Sequence, residues 1–184
     1  MFFGDKCYLS PVDSSHIVEF TDWLDDIDVL RNLTLYNGIN SFGISPSPEN
    51  FLSEYSYSII DQKDDKFIGY CGFLNVDQEN NIGEVGIIIG EEYRNKGYGE
   101  EALLLLLNYG FLVLWITKIK ARMFENNTSA IKFCERIGFK QIEANQEALL
   151  FNMEKHNIVY MEMASKEFKK IAGADLFSLD IFKN

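Results

Sequence analysis

The chain has 184 residues, which favours a single domain of ordinary size. Its 28 acidic residues outnumber its 17 Lys and Arg residues, and the net charge of -11 argues against a nucleic-acid-binding protein because no basic face can dominate. Three separated cysteines without a C-x-x-C pair, together with only two histidines, argue against a disulfide framework and against a metal site.

The first third of the chain is predicted to begin with a strand that ends at Pro11. Residues 14–33 place apolar side chains at helical spacing behind a serine cap, and they predict a helix. Residues 37–48 are rich in Gly, Pro, Asn and Ser and predict a loop. A short helix over 48–56 is expected because its Pro and Glu suit a first helical turn.

The middle of the chain predicts three strands, over 55–61, 66–76 and 82–90, and the turn-like segments between them indicate an antiparallel meander. The Leu-rich segment 99–114 predicts a helix that is apolar on nearly all sides and is therefore deeply packed. Residues 118–125 alternate between polar and apolar side chains, which predicts a further strand.

The last part predicts a helix over 127–138, with Gly138 as its C-terminal cap, and two strands over 139–143 and 156–163. The tail 168–184 carries many apolar residues, so we expect it to cover the domain or a second subunit. In this order the seven strands form a mixed sheet, and only the pair that flanks the Leu-rich helix must be parallel.

The sequence also argues against a membrane protein. The longest apolar run, about residues 102–116, is short for a membrane span. The N-terminal segment carries Asp5 and has no long apolar core, so it does not read as a signal peptide. We therefore expect a cytoplasmic protein in a reducing compartment.

The segment RNKGYG, residues 94–99, lies between a predicted strand and the Leu-rich helix. Gly97 and Gly99 can adopt positive φ, so consecutive N–H groups can point into one concavity, and the helix start adds free amides and its positive dipole end. Glu100 and Glu101 oppose an anion there unless their side chains face solvent. The segment therefore predicts either a pyrophosphate-binding loop or a plain strand-to-helix turn.

A second pattern overlaps the first. Residues 97–102 match the G-x-G-x-x-A motif of dinucleotide-binding folds, and Glu125 lies roughly where a ribose-binding acid would be. However, residues 91–96 separate the motif from the strand that it should follow directly. The next strand alternates between polar and apolar residues, whereas a buried parallel strand is apolar throughout. A dinucleotide-binding protein is therefore the weaker alternative.

Two blocks of the sequence resemble the GCN5-related N-acetyltransferases. Residues 94–99 are similar to that family's R/Q-x-x-G-x-G/A loop for acetyl-CoA, and residues 127–139 resemble its N-x-x-A-I-x-x-Y-E-K-x-G-F block. Residues 23–26 and 155–163 are similar to motifs of the branch that acetylates ribosomal-protein N-termini. The resemblance spans roughly residues 5–167.

The resemblance implies a GNAT fold: a mixed, mostly antiparallel seven-stranded sheet whose one parallel pair splays around the cofactor, with helices on both faces. It assigns residues 1–167 to the acetyltransferase domain. It implies transfer of an acetyl group from acetyl-CoA to a primary amine of a protein N-terminus, polyamine, amino acid, antibiotic or sugar. A homodimer is compatible with such a domain, whereas nucleic acid, membrane and metal are not expected partners.

The resemblance also implies which residues bind coenzyme A. They are the strand backbone and the loop with the first helical turn, together with one residue of the second block: Ile87, Ile88, Ile89, Arg94, Asn95, Lys96, Gly97, Tyr98, Gly99, Glu100 and Asn127. Gly86 and Gly90 within the strand suggest a bulge or a close backbone approach, and a bulge would free N–H groups for the pantetheine arm and for the thioester oxygen.

Two residues are candidates for proton transfer. Glu84 lies close to where some relatives place a glutamate base. The alternative is that Glu84 is a strand-edge acid that faces water, and that a chain of water molecules removes the proton. Cys134 occupies the position of the family's tyrosine acid, and a thiol can donate to a thiolate of similar basicity. The alternative for Cys134 is a small buried residue that leaves protonation to water.

The missing tyrosine also leaves open a second class of function, a non-catalytic module that binds acyl-CoA. Trp23, Phe42, Tyr55 and Tyr57 are candidates either for the wall of a substrate pocket or for the core. His156 can lie near the substrate mouth, but a solvated loop histidine is the more ordinary interpretation.

Overall fold

Nine strands join into one mixed sheet in the computed structural model, which describes residues 1–24, 53–142, 148–151 and 154–176. The strands are β1 (Phe2–Phe3), β2 (Cys7–Pro11), β3 (Ser56–Asp61), β4 (Phe67–Asp77), β5 (Ile82–Ile89), β6 (Lys118–Phe124), β7 (Lys140–Ile142), β8 (Ala148–Phe151) and β9 (Glu154–Ala164). Their order is β1-β2-β3-β4-β5-β6-β9-β7, and β8 also pairs with β9. Every described pair is antiparallel except β5 with β6, which confirms the predicted mixed sheet.

Helices cover both faces of the sheet, as the resemblance implied. They are α1 (Ser14–Leu24), α2 (Tyr98–Leu112), α3 (Thr128–Ile137) and α4 (Ser165–Leu176), and a 3-10 turn spans Glu91–Tyr93. On one face, Phe20 of α1 packs into a small cluster with Phe67, Tyr70 and Ile88. The other three helices contribute to the main core on the opposite face.

Two strands and one helix end differ from the sequence predictions. The sheet gains β1 and β8 over the seven predicted strands, because a two-residue strand shows no alternation and β8 lies in a segment without a readable pattern. The helix predicted over 48–56 does not extend through its described end, since Ser56 begins β3. Three predicted segments lie outside the described residues: the end of the first helix beyond 24, the loop 37–48, and the tail 177–184.

The Leu-rich helix α2 is buried on nearly all sides, as its composition predicted. Leu103, Leu105, Leu106 and Leu107 are each at most 1% exposed, although consecutive positions point in different directions around a helix. The helix therefore packs against the sheet and against its neighbouring helices at once. No helix in the described part of the chain has both the length and the apolar character needed to cross a bilayer.

The parallel pair is short, and this creates a gap in the middle of the sheet. β5 and β6 pair only from Ile82 with Lys118 to Glu84 with Lys120. Beyond these pairs β5 continues to Ile89 and β6 continues to Phe124 without pairing to each other. The two strands therefore splay, and we call the space between them the wedge.

The predicted bulge is in the neighbouring strand. The register between β4 and β5 shifts between Phe73, which opposes Val85, and Asn75, which opposes Glu84. The extra residue is thus Leu74 of β4, and its side chain lies so close to Gly86 that a Cβ there would come within 2.9 Å of it. A bulge within β5 was the wrong prediction: Gly86 provides room for Leu74, and the splay of β6 frees the backbone of β5.

The C-terminal cap of α3 gives a direct test of the fold. Gly138 has φ +109, a conformation that a residue with a side chain adopts only under strain, and an added Cβ would clash with the side chain of Ile171. We expect Gly138→Ala to lower the free energy of unfolding by about 1–3 kcal/mol, as read from urea denaturation. Lys132→Ala, an exposed change in the same helix, is the control, and equal unfolding midpoints for the two variants would contradict the expectation.

Candidate functional site

The wedge exposes one edge of β5. Gly90 donates its N–H to Ile68 of β4, and successive peptide groups of a strand point to opposite sides. The N–H groups of Ile87 and Ile89 therefore point away from β4 and into the wedge, whereas the N–H of Ile88 points to β4. We call residues 85–89 on this side the open edge, because β6 no longer pairs with them.

The segment 94–99, which we call the glycine loop, follows the 3-10 turn after β5 and includes the first two residues of α2. Asn95 has φ +61 and Gly97 has φ +92, so the chain passes twice through the left-handed region. Gly97 is the N-cap residue of α2, and no side chain in the described part of the chain caps this helix start. The first amides of α2 are consequently available to an anion, with the positive end of the helix dipole behind them.

Gly99 does not use the positive φ that a glycine permits, because it already belongs to the first turn of α2. Its importance is steric: an added Cβ would lie 3.3 Å from Ile89. A glycine here lets the start of α2 approach the end of the open edge closely.

Three cations lie in or beside the glycine loop: Arg94 and Lys96 belong to it, and Lys6 approaches it from another part of the chain. Arg94 donates its Nε to the carbonyl of Ile89 at 2.9 Å, and Lys96 lies over the ring of Tyr93 at 5.8 Å from its centroid. Lys6, from the turn between β1 and β2, donates its Nζ to the carbonyl of Lys96 at 3.0 Å. The loop therefore carries concentrated positive charge in a protein whose net charge is -11.

The two acidic residues of the first helical turn are held away from the loop. Glu100 pairs with Arg136 of α3 at 3.2 Å. Glu101 does not face solvent as expected, because its carboxylate accepts hydrogen bonds from the backbone of the β1–β2 turn. Neither side chain therefore obstructs an anion at the helix start.

Tyr98 anchors the glycine loop to the rest of the sheet. Its hydroxyl donates to Asp61 at the end of β3, at 2.6 Å. This hydrogen bond, together with burial, raises the pKa of Tyr98 to about 12, and the same bond holds the pKa of Asp61 below its ordinary value. The linkage is thus stable across neutral pH and fixes the loop in place.

Glu84 lies at the narrow end of the wedge. It is the last residue of β5 that pairs with β6, and its Oε1 lies 2.6 Å from the Nε of Arg122. Arg122 is on β6, two residues beyond the partner of Glu84, so this ion pair bridges the strands where they begin to separate. From Glu84 to Ile89 the open edge spans about 16 Å of extended strand.

Cys134 is buried in the main core and is 5% exposed. Burial is the main cause that raises the pKa of its thiol to about 12, and Glu135 adds to the effect. Asn127, at the start of the same helix, uses its carboxamide oxygen to accept from Ala130 N at 3.1 Å and from the Ser129 hydroxyl at 3.0 Å. The oxygen of this side chain is therefore committed to capping α3.

The aromatic candidates divide between the two faces. Trp23 is half-buried, stacks on Phe67 and lines a cavity of about 520 Å³ beside the end of β5. Tyr55 and Tyr57 pack against the main core on the opposite face, so they belong to the core. His156 lies 5.2 Å from Phe124, ring centre to ring centre, and Phe42 lies outside the described residues.

Sequence reasoning missed the contacts that other parts of the chain make with the site. Arg122 is one of several cations at alternate positions of β6, and only the parallel register brings it to Glu84. Lys6 and Glu101 are 95 residues apart in sequence and show no motif. Within the described ranges, no group of three or more His, Cys, Asp or Glu side chains is arranged to hold a metal ion.

Residues 7–140 match the family of acetyltransferase (GNAT) domains. The chain is 37% identical over 143 residues to an uncharacterized N-acetyltransferase, p20, of Bacillus licheniformis, covering 76% of this chain and 69% of that protein. It is 28% identical over 102 residues to a putative ribosomal N-acetyltransferase, YdaF, of Bacillus subtilis, covering 54% of this chain and 56% of that protein.

Solved structures share the fold. A GNAT-family acetyltransferase from Bacillus anthracis superimposes with a TM-score of 0.76 at 19% identity, covering 90% of this chain and 99% of that one. Spermidine N-acetyltransferase from Vibrio cholerae, solved with CoA and spermine, superimposes with a TM-score of 0.75 at 15% identity, with the same coverage. At these identities the likeness describes architecture.

Proposed function

The chain belongs to the GNAT acetyltransferase family, and we propose that it acetylates a primary amine by direct attack of that amine on acetyl-CoA within the wedge. Enzymes of this family use acetyl-CoA, so acetyl-CoA is its cofactor. The observation that carries the proposal is the open edge of β5, which runs from the uncapped start of α2 to the carboxylate of Glu84.

The residues of the site fit coenzyme A. The glycine loop and the first amides of α2 would hold the diphosphate, with Arg94 and Lys96 supplying charge. Ile87 and Ile89 would bond the pantetheine arm through their main chain, as an added strand does at a sheet edge. Asn127 has only its amide nitrogen left to offer, and Ile88 contributes no backbone group to the wedge.

The chemistry then depends on removing one proton. An alkylamine is mostly protonated at neutral pH, and it attacks only as the free base. Acetyl-CoA supplies the activated acetyl group. Glu84 would take one ammonium proton through its second oxygen while Arg122 engages the first, and the N–H groups of the open edge would face the acetyl carbonyl oxygen. As the new C–N bond forms and the C–S bond breaks, coenzyme A would leave as the thiol with a second proton from the nitrogen.

The class of amine is tested with a panel. Purified protein is incubated with acetyl-CoA and peptides with N-terminal Ala or Ser, polyamines, aminoglycosides or amino sugars, and free thiol is followed. We expect release with one class. The similarity to a putative ribosomal N-acetyltransferase favours the peptides, and the structural likeness to a spermidine N-acetyltransferase motivates the polyamines.

A non-catalytic module that binds acyl-CoA is the second candidate, because Cys134 stands at the tyrosine position. It predicts coenzyme A binding without thiol release across the whole panel. The dinucleotide alternative has no support, since residues 97–102 begin a helix that packs on a largely antiparallel sheet, and the chain matches the acetyltransferase family.

For Cys134 we propose a packing role. A thiol with a pKa of about 12 is a poor donor to a thiolate whose conjugate acid has a pKa near about 8.5. We expect Cys134→Ala to keep most of the acetyltransferase activity, measured as kcat, with Cys71→Ala as a control for loss of a buried thiol. A loss of kcat of about a hundredfold at unchanged cofactor affinity, or about 2.7 kcal/mol, would instead make Cys134 the acid.

A further inference from the structure

The turn that joins β1 to β2, residues 4–7, is bound to the first helical turn of α2 by one carboxylate. Glu101 accepts from the N–H of Asp5 at 2.7 Å, of Lys6 at 2.8 Å and of Cys7 at 2.8 Å. Hydrogen bonds to a charged acceptor are stronger than neutral ones, so the turn is firmly held beside the glycine loop.

The opposite side of this turn is fixed as well. Gln62 donates its backbone N–H to the carbonyl of Lys6 at 2.9 Å and its side-chain amide to the carbonyl of Gly4 at 2.6 Å. Gly4 lets the chain come close to Glu101, because an added Cβ would lie 2.6 Å from that carboxyl carbon. The N–H and the carbonyl of Lys6 are therefore both hydrogen-bonded, and these bonds fix the backbone of Lys6 beside the glycine loop without a ligand.

The side chain of Lys6 reaches the glycine loop. Its Nζ donates to the carbonyl of Lys96 at 3.0 Å, and a Cβ added to Gly97 would lie 2.6 Å from the same nitrogen. In the described part of the chain, the ion pairs do not include Lys6. An ammonium group has three donors, so after the bond to Lys96 two remain.

The glycine loop and the turn 4–7 bring three cations to the start of α2. They are Lys6, Lys96 and Arg94, and they add formal positive charge to the positive end of the helix dipole. A further lysine held there by the turn between β1 and β2 suits a strongly negative group bound at the helix start. Coenzyme A brings a diphosphate to this place under the function proposed above.

We propose that Lys6 binds the diphosphate of coenzyme A and that the turn 4–7 forms one wall of the phosphate site. The inference rests on the proposed function. It adds a cofactor-binding residue that lies outside the glycine-loop motif and about ninety positions before it. Glu101 is then a positioning residue, which holds the turn and so places the ammonium of Lys6.

The test is binding of coenzyme A and of dephospho-coenzyme A, which lacks the 3′-phosphate, by isothermal titration to the full chain. We expect Lys6→Met to weaken both ligands by about tenfold, with a smaller loss at high salt. Lys140→Met removes the same charge from a lysine paired with Glu167, and it should bind both ligands like the wild type. Equal thermal midpoints for Lys6→Met and wild type establish that the fold is intact.

Each outcome separates the ideas. Unchanged affinity of Lys6→Met for coenzyme A would overturn the inference and leave the proposed function standing. A loss confined to coenzyme A, with dephospho-coenzyme A unaffected, would move Lys6 to the 3′-phosphate and overturn its assignment to the diphosphate. If the wild-type protein bound neither ligand, the proposed function would be wrong, and the inference about Lys6 would be wrong with it.

Discussion

Gly97→Ala is expected to weaken coenzyme A binding by about ten- to a hundredfold. Gly97 has φ +92 and ψ -8, and a side chain in this region adds about 1–3 kcal/mol of strain. Each 1.4 kcal/mol is a factor of ten in affinity if the loop relieves the strain by leaving its binding conformation. The new Cβ would also displace the ammonium of Lys6, which lies 2.6 Å from its position.

The measurement is the dissociation constant of coenzyme A for the wild type and the variant. Gly138→Ala is the matched control, because Gly138 also has positive φ but lies outside the glycine loop, at the C-terminal end of α3. It should lose stability while keeping its cofactor affinity. If Gly97→Ala bound coenzyme A as tightly as the wild type, the glycine loop would not be the phosphate site.

Glu84→Gln is expected to lower kcat by about a hundredfold at neutral pH with little change in the affinity for coenzyme A. General base catalysis contributes about 10²- to 10⁴-fold, and a water chain that partly replaces the carboxylate places the effect at the low end. The rate of the variant should rise with pH, because more of the amine is then free base without help from the protein.

The control is the same substitution, Glu to Gln, at a different position of the sheet. Glu162 pairs with Lys118 at 3.2 Å and lies on the same face of the sheet, opposite Lys120 in the register of β6 and β9. Glu162→Gln should therefore retain a kcat near that of the wild type. Equal losses in the two variants, or a pH profile of Glu84→Gln parallel to the wild type, would exclude Glu84 as the base.

The fold was largely predictable because its signals are local. The even alternation of 118–125, the apolar repeat of α2 and the glycine at 138 each report a backbone conformation that neighbouring residues determine. The two missed strands differ from these: β1 has two residues, and β8 lies in a segment whose pairing with β9 has no local signature.

The site was predictable only where a continuous segment builds it. The glycine loop carries its own pattern, so its place before α2 could be read from the residues. The bulge was predicted in β5, the strand with the glycines, yet it lies in β4. Gly86 of β5 instead leaves room for the side chain of Leu74, the extra residue of β4. The contacts of Arg122 with Glu84, and of Lys6 with the loop, depend on long-range register and could not be derived from spacing.

Because the pairing between β5 and β6 is short, the sheet consists of two parts, which we call leaves. One leaf ends with β5, and the other begins with β6. Among the described residues, three cross-strand pairs join the leaves, so backbone bonding fixes the hinge line but not the angle. We expect side-chain volume in the core beneath to set that angle, because Phe73 of β4 and Ile119 of β6 both pack closely against Gly110 of α2. The width of the wedge would then depend on the hydrophobic core. Substitutions that change core volume far from any polar group would change that width.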